Sequence, residues 1–172
     1  MDEKRARNIF GAVALSLADE IVRAASAPAP EAGPSASALA LLKHEPGLSI
    51  RTLAAGVGLS HAGAVRLVDR LVAENLIERR AHDSDGRTRS LHLTATGEAA
   101  ASSVLQARDG VVSRGLSILT PDEVAMLGAL SEKILRAGVR DLDHAYHVCR
   151  LCDYGSCRGC PIEGELKDRG AL

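Results

Sequence analysis

All four cysteines of this 172-residue chain fall in one short run near the C-terminus, CRLCDYGSCRGC, as Cys149, Cys152, Cys157 and Cys160. The spacing is C-x2-C-x4-C-x2-C, and Pro161 follows the last thiol. Two C-x-x-C turns can aim four thiolates at one point, whereas a single redox pair needs only two. Metal ligation is therefore the chemistry this pattern predicts. Four thiolates suit a closed tetrahedral zinc site. A compact run ending in Cys-Pro is also similar to the cluster-binding runs of bacterial ferredoxins, although their internal spacing differs. Zinc frameworks usually separate their two pairs by a longer loop. An iron–sulfur cluster is accordingly the preferred cofactor, zinc the alternative, and a thiol–disulfide switch a third reading. Gly155 and Gly159 would let backbone N–H groups approach the sulfurs. His144 and His147, three apart just before the run, read as polar-face residues rather than further ligands.

Composition sets the context for those thiols. The formal net charge is -1 and charged residues make up 25%, so any nucleic-acid surface must come from local clustering. Phe10, Tyr146 and Tyr154 are the only aromatics, too few for the stacking platforms that bind single strands. There is no apolar run of membrane-spanning length, and MDEKRARNIF lacks a secretory core. A cytoplasmic address is expected, where thiols stay reduced and metal chemistry outcompetes disulfides. The chain has no nucleotide-binding glycine loop, no G-x-S-x-G and no H-E-x-x-H, so it does not read as an enzyme. An electron-transfer protein and a metal-dependent protein-interaction module are the rivals from other classes.

The elements that must position this chemistry follow from periodicity. Ile9, Phe10, Val13, Leu15, Leu17, Ile21 and Val22 form a helical apolar stripe, and APAPEAGPS from Ala27 to Ser35 is a proline-rich linker. ASALALLKHE reads as a short helix stopped by Pro46-Gly47. LSI then reads as strand-like, with a helix over Arg51 to Val57, a turn at Gly58 and a helix from His61 to Asn75 capped by Ser60. IERRA and TRSLHLT flank the polar tip HDSDGR as a β-hairpin turning at Asp85-Gly86. A helix from GEAAAS to GLSIL follows, with Gly110 a place for a kink. Thr120-Pro-Asp-Glu starts a last helix that reads through to HAYHV, with Val124, Leu127, Leu130, Ile134 and Leu135 on one stripe. The long terminal helices exceed what one small core covers, so their apolar faces are expected against a second copy.

Within the second helix of the pair, Ala64, Leu67, Val68 and Leu71 form the core-facing stripe. That leaves His61, Ala62, Val65, Arg66, Asp69 and Arg70 outward. Arg66 and Arg70 can serve phosphates or guanine edges, and Val65 a thymine methyl. The hairpin carries Arg79, Arg80, Arg87 and Arg89, with Arg87 at a tip that can enter a narrow minor groove.

The stretch from Leu48 to Ala100 resembles the MarR (multiple antibiotic resistance regulator) family. The resemblance rests on the helix-turn-helix, R-L-V-D-R-L at Arg66 to Leu71, N-L-I-E-R-R, the D-G-R tip and L-T-A-T-G-E. It implies a mainly α fold with a small β-hairpin wing, in which a winged helix-turn-helix is flanked by N- and C-terminal dimerisation helices. It implies a homodimeric regulator of transcription, usually a repressor, on a palindromic double-stranded operator. A small-molecule effector at the junction of dimer and winged domains is a further partner it allows. DNA contacts are then expected at Ser60, His61, Ala62, Val65, Arg66, Arg70, Arg87 and Arg89, with Asp85 orienting the wing arginines. The expected division is 1–35 for the first dimerisation helix and linker, 36–98 for the winged helix, 99–148 for the second dimerisation helices and 149–172 for the metal-binding tail.

Overall fold

The computed structural model describes residues 2–29, 33–81 and 89–171. Its elements run α1 (Glu3–Ser26), α2 (Pro34–His44), α3 (Ile50–Val57), α4 (His61–Ala73), β1 (Ile77–Ala81), β2 (Arg89–Leu93), α5 (Ala95–Leu116), α6 (Pro121–Gly138), α7 (Leu142–Cys149), a 3-10 turn at Tyr154–Ser156, and α8 (Pro161–Asp168). The fold is mainly helical with one antiparallel hairpin, as the sequence predicts.

The core belongs to the winged helix. Leu39 and Leu42 of α2, Leu53 of α3, Leu67 and Leu71 of α4, Ile77 of β1 and Leu91 of β2 are buried together. The hairpin pairs Ile77 with Leu93 and Ala81 with Arg89, and Leu48 makes a single antiparallel bridge to Leu91. The strand-like reading of LSI thus holds for Leu48, while Ile50 already begins α3, capped by the Ser49 hydroxyl. Gly58 ends α3 with φ +70°, the left-handed turn that a Cβ would disfavour, and this sets the angle between α3 and α4.

Two readings change. The helix starting at Thr120, read as continuous to Val148, stops at Gly138 and restarts at Leu142. Val139 is extended and buried, and Asp141 caps α7 by accepting from the His144 N–H at 2.8 Å. An aspartate favours a cap over a helix interior, and the apolar Val139 is drawn into a neighbouring core. In contrast, α5 runs through Gly110 as one continuous helix.

Outside the winged helix, burial thins. α1 packs along α5, yet Ala25 is its only buried residue among those described. No residue of α6 is buried. Phe10, Leu15 and Met126 are 56%, 70% and 64% exposed. No helix among the described residues is long and apolar enough to cross a membrane.

Candidate nucleic-acid interface and thiol cluster

Local chemistry fixes α4 at its start. The Ser60 hydroxyl accepts from the Gly63 N–H at 3.2 Å and satisfies one of the orphan donors of the first turn. Ala64, Leu67, Val68 and Leu71 turn into the core, all buried. Ser60, His61, Ala62, Arg66 and Arg70 are exposed on the opposite side. Val65, read as outward, is only half exposed, because it borders the buried stripe. Arg66 makes no ion pair among the described residues. Arg89 is exposed at the foot of β2. Asp85 and Arg87 lie outside the described residues, so the wing tip has no geometry to set against its expected role.

One pair was not foreseen. Arg79 of β1 reaches across to Asp69 of α4, 2.6 Å from guanidinium to carboxylate. The pairing joins the wing stem to the helix and neutralises the acidic side chain on its outward face. Arg66 is exposed on the same face, and its sign suits a phosphate backbone. An Asp on the helix and an Arg two residues into the strand were visible in the sequence, but only the angle between the elements makes them neighbours.

The thiols sit in the second candidate site. Cys149 is the last residue of α7, Cys160 caps α8, and Cys157 closes the 3-10 turn between them. All four are half-buried and none is in a disulfide. They form two pairs. The Cys149 thiol donates to Cys152, which drives Cys149 far up, and burial adds to this. The same bond brings the Cys152 thiol down to about 7, against its burial and with help from Arg108 on α5. Burial raises the Cys157 thiol, and the charges of Cys160 and Cys152 add to this. Among the described residues, no three His, Cys, Asp or Glu side chains are gathered closely enough to ligate one ion. Cys149 and Cys160, one from each pair, line the same cavity of about 320 Å³, with Leu41, Tyr146, Tyr154 and Ile162.

Around the thiols, polar groups are already committed. The Gly155 N–H, expected to approach a sulfur, instead donates to the Asp153 carboxylate at 3.2 Å. The Ser156 hydroxyl donates to the same carboxylate at 2.6 Å and holds its pKa below the usual carboxylate range. His144 Nδ1 accepts from the Arg140 N–H, and His147 Nδ1 meets the Gly56 carbonyl at 3.2 Å.

The sequence model of the MarR family matches residues 33–88. The chain is 30% identical over 103 residues to the HTH-type transcriptional repressor MdtR of Bacillus subtilis (strain 168), a match spanning 60% of this chain and 66% of that protein. It therefore spans just under two thirds of that relative's length. The crystal structure of RV1404 from Mycobacterium tuberculosis superposes with a TM-score of 0.68 at 21% identity, covering 81% of this chain and 97% of the other. The transcriptional repressor CouR, bound to a 23-mer DNA duplex, superposes at 0.57 and 23% identity, covering 73% and 89%. At these identities the solved structures show a shared fold.

Proposed function

Residues 33–88 match the sequence model of the MarR family, and on that premise we propose that the chain is a DNA-binding regulator of transcription, working as a homodimeric repressor. The observation that carries this reading is the outward face of α4. It presents Ser60, His61, Ala62, Arg66 and Arg70 on a helix whose other side is locked into a leucine core. A rigid helix with exposed cations is what major-groove reading needs. The Asp69–Arg79 pair offsets the α4 carboxylate that would oppose a phosphate there. Relatives named as a repressor, and as a repressor bound to a DNA duplex, favour the same role. The unburied apolar faces of α1 and α6 support the dimer, since a second copy is the simplest cover for two long helices in one symmetric interface.

Selection from a random duplex pool by the purified full chain tests this. Enrichment should yield two-fold-related half-sites about one helical turn apart. Anisotropy titrations at several salt concentrations should then show a steep slope that Arg66→Ala flattens by about 1 per recognition helix. A pool that never becomes symmetric, or a slope that Arg66→Ala leaves unchanged, removes the reading.

A further inference from the structure

The C-terminal thiol module does not hang free of the reading head. α7 packs along α3, the first helix of the helix-turn-helix. Gly56 allows that approach, since a Cβ there would stand 3.3 Å from Cβ of Tyr146 and 2.7 Å from a methyl of Leu41. The Tyr146 hydroxyl donates to Glu45 at 2.9 Å, just beyond α2. His147 bonds the Gly56 carbonyl near the end of α3, and the His44 ring lies against the carbonyl of Cys152. Leu151, between the first two cysteines, packs on the small cluster joining α1, α2 and α5. On its other side the module grips α6: Arg136 pairs with Glu165 of α8 at 3.2 Å, and Arg169 donates to the Val139 carbonyl at 2.9 Å. The module is a strut between the uncovered helix α6 and the helix that orients α4.

What holds the strut together is thin. Its own apolar core is Val139, Ala145, Ile162 and Leu166, with Val148, Cys149 and Cys160 against it. A core of that size does not order a segment by burial alone, and small modules of this kind need a staple. No disulfide supplies one. Cys149 and Cys160 sit at the facing ends of α7 and α8 and line one cavity; among the described residues no three ligand-type side chains yet meet at one point, so a shared centre has to draw the two thiol pairs together across that cavity. The donor set is four sulfurs, which selects a thiophilic centre over magnesium or calcium.

We propose that Cys149, Cys152, Cys157 and Cys160 bind a thiolate-ligated metal centre, an iron–sulfur cluster or zinc, and that its occupancy controls DNA binding through the contact of α7 with α3. The proposal rests on the regulator reading for its output, but its metal site and its α7–α3 coupling stand separately. Arg108 of α5 lies near Cys152, and α7 transmits the closed or open state to Gly56 through the His147 bond to its carbonyl.

The test uses the full-length chain. Protein purified without air, and stripped protein given either zinc alone or ferrous iron with sulfide, should hold one centre per chain. Brown protein with iron and sulfide identifies the cluster, colourless protein with one zinc identifies the ion, and both support the site. No retained metal in any arm overturns it, as does a Cys152→Ser variant that keeps full metal content. Operator affinity of loaded and stripped wild-type protein should differ by about 5–150-fold, the range of ordinary allosteric coupling. The double variant Tyr146→Phe, His147→Ala should keep its metal and lose that difference. Equal affinity of loaded and stripped wild type overturns the coupling. If no duplex binds in any state, the regulator reading fails, and hydrogen exchange across Ile50–Val57 decides the rest. Protection that changes with metal sustains the coupling, and protection that does not rejects it.

Discussion

The winged helix and the cysteine module solve the problem of holding a shape in opposite ways. In the winged helix, folding and binding use different residues. Leu39, Leu53, Leu67 and Leu71 are buried and build the core, while Ser60, Arg66 and Arg70 lie on the surface and face outward. In the module the labour is not divided. Cys149 and Cys160 pack against its small core, and they are also the groups that would ligate. A surface can therefore vary on the winged helix without loss of the fold, whereas in the module Cys149 and Cys160 carry both shape and chemistry.

The sharpest way to break that contrast is to attack both cores. Leu67→Ala should cost about 2–5 kcal/mol in denaturant unfolding, because Leu67 is 2% exposed and its removal leaves a cavity. Metal removal should lower the same transition by clearly less, since the leucine core contains no cysteine. If chelation unfolded the winged helix as fully as Leu67→Ala, the two regions would not be separately stabilised. Next comes Ser60, where cap and surface coincide. Ser60→Ala should cost about 1 kcal/mol of stability through the lost bond to Gly63. Ser60→Asp should keep the cap and the stability while abolishing duplex binding, because a carboxylate then faces phosphate. Retention of binding by Ser60→Asp would move the backbone contact away from the start of α4. The smallest effect belongs to Asp69 and Arg79. Both are partly exposed, so a double-mutant cycle on unfolding should give no more than about 1 kcal/mol. Asp69→Ala should nonetheless tighten non-specific duplex binding slightly, and Arg79→Ala should weaken it. Identical responses to both would mean that charge on this face is irrelevant.

The parts of this architecture that were legible in the sequence are the locally encoded ones. The Ser60 cap, the Gly58 turn, the α4 stripe and the capping box at Thr120 and Glu123 each depend on residues within one or two turns of one another. The pairing of IERRA with TRSLHLT as a hairpin follows from the change of period and the turn residues between them. The docking of the module on α3 was not legible, because it rests on Gly56 meeting Tyr146 across ninety positions of chain. Reading one long helix from Thr120 to Val148 also hid it. The apolar periodicity carries through Val139, and only the Asp141 cap and the packing of Val139 reveal the break. The two histidines beside the four thiols read as polar-face residues rather than ligands, and in each ring Nδ1 meets a backbone group. For the wing tip, composition gives the expectation at Asp85 and Arg87, which lie outside the described residues.

The bare face of α6 has a consequence for how much of this protein a cell must hold. Under the dimer reading, this helix with no buried side chain, bearing Met126, Leu130 and Ile134 outward, is covered only when another copy arrives. Under the dimer reading its stability is set by mass action, so the melting temperature should climb with protein concentration. Dilution would expose α6 to proteases before the leucine core is touched. The copy number of the chain would thus govern its lifetime, and a repressor that shut off its own synthesis too far would hasten its own removal.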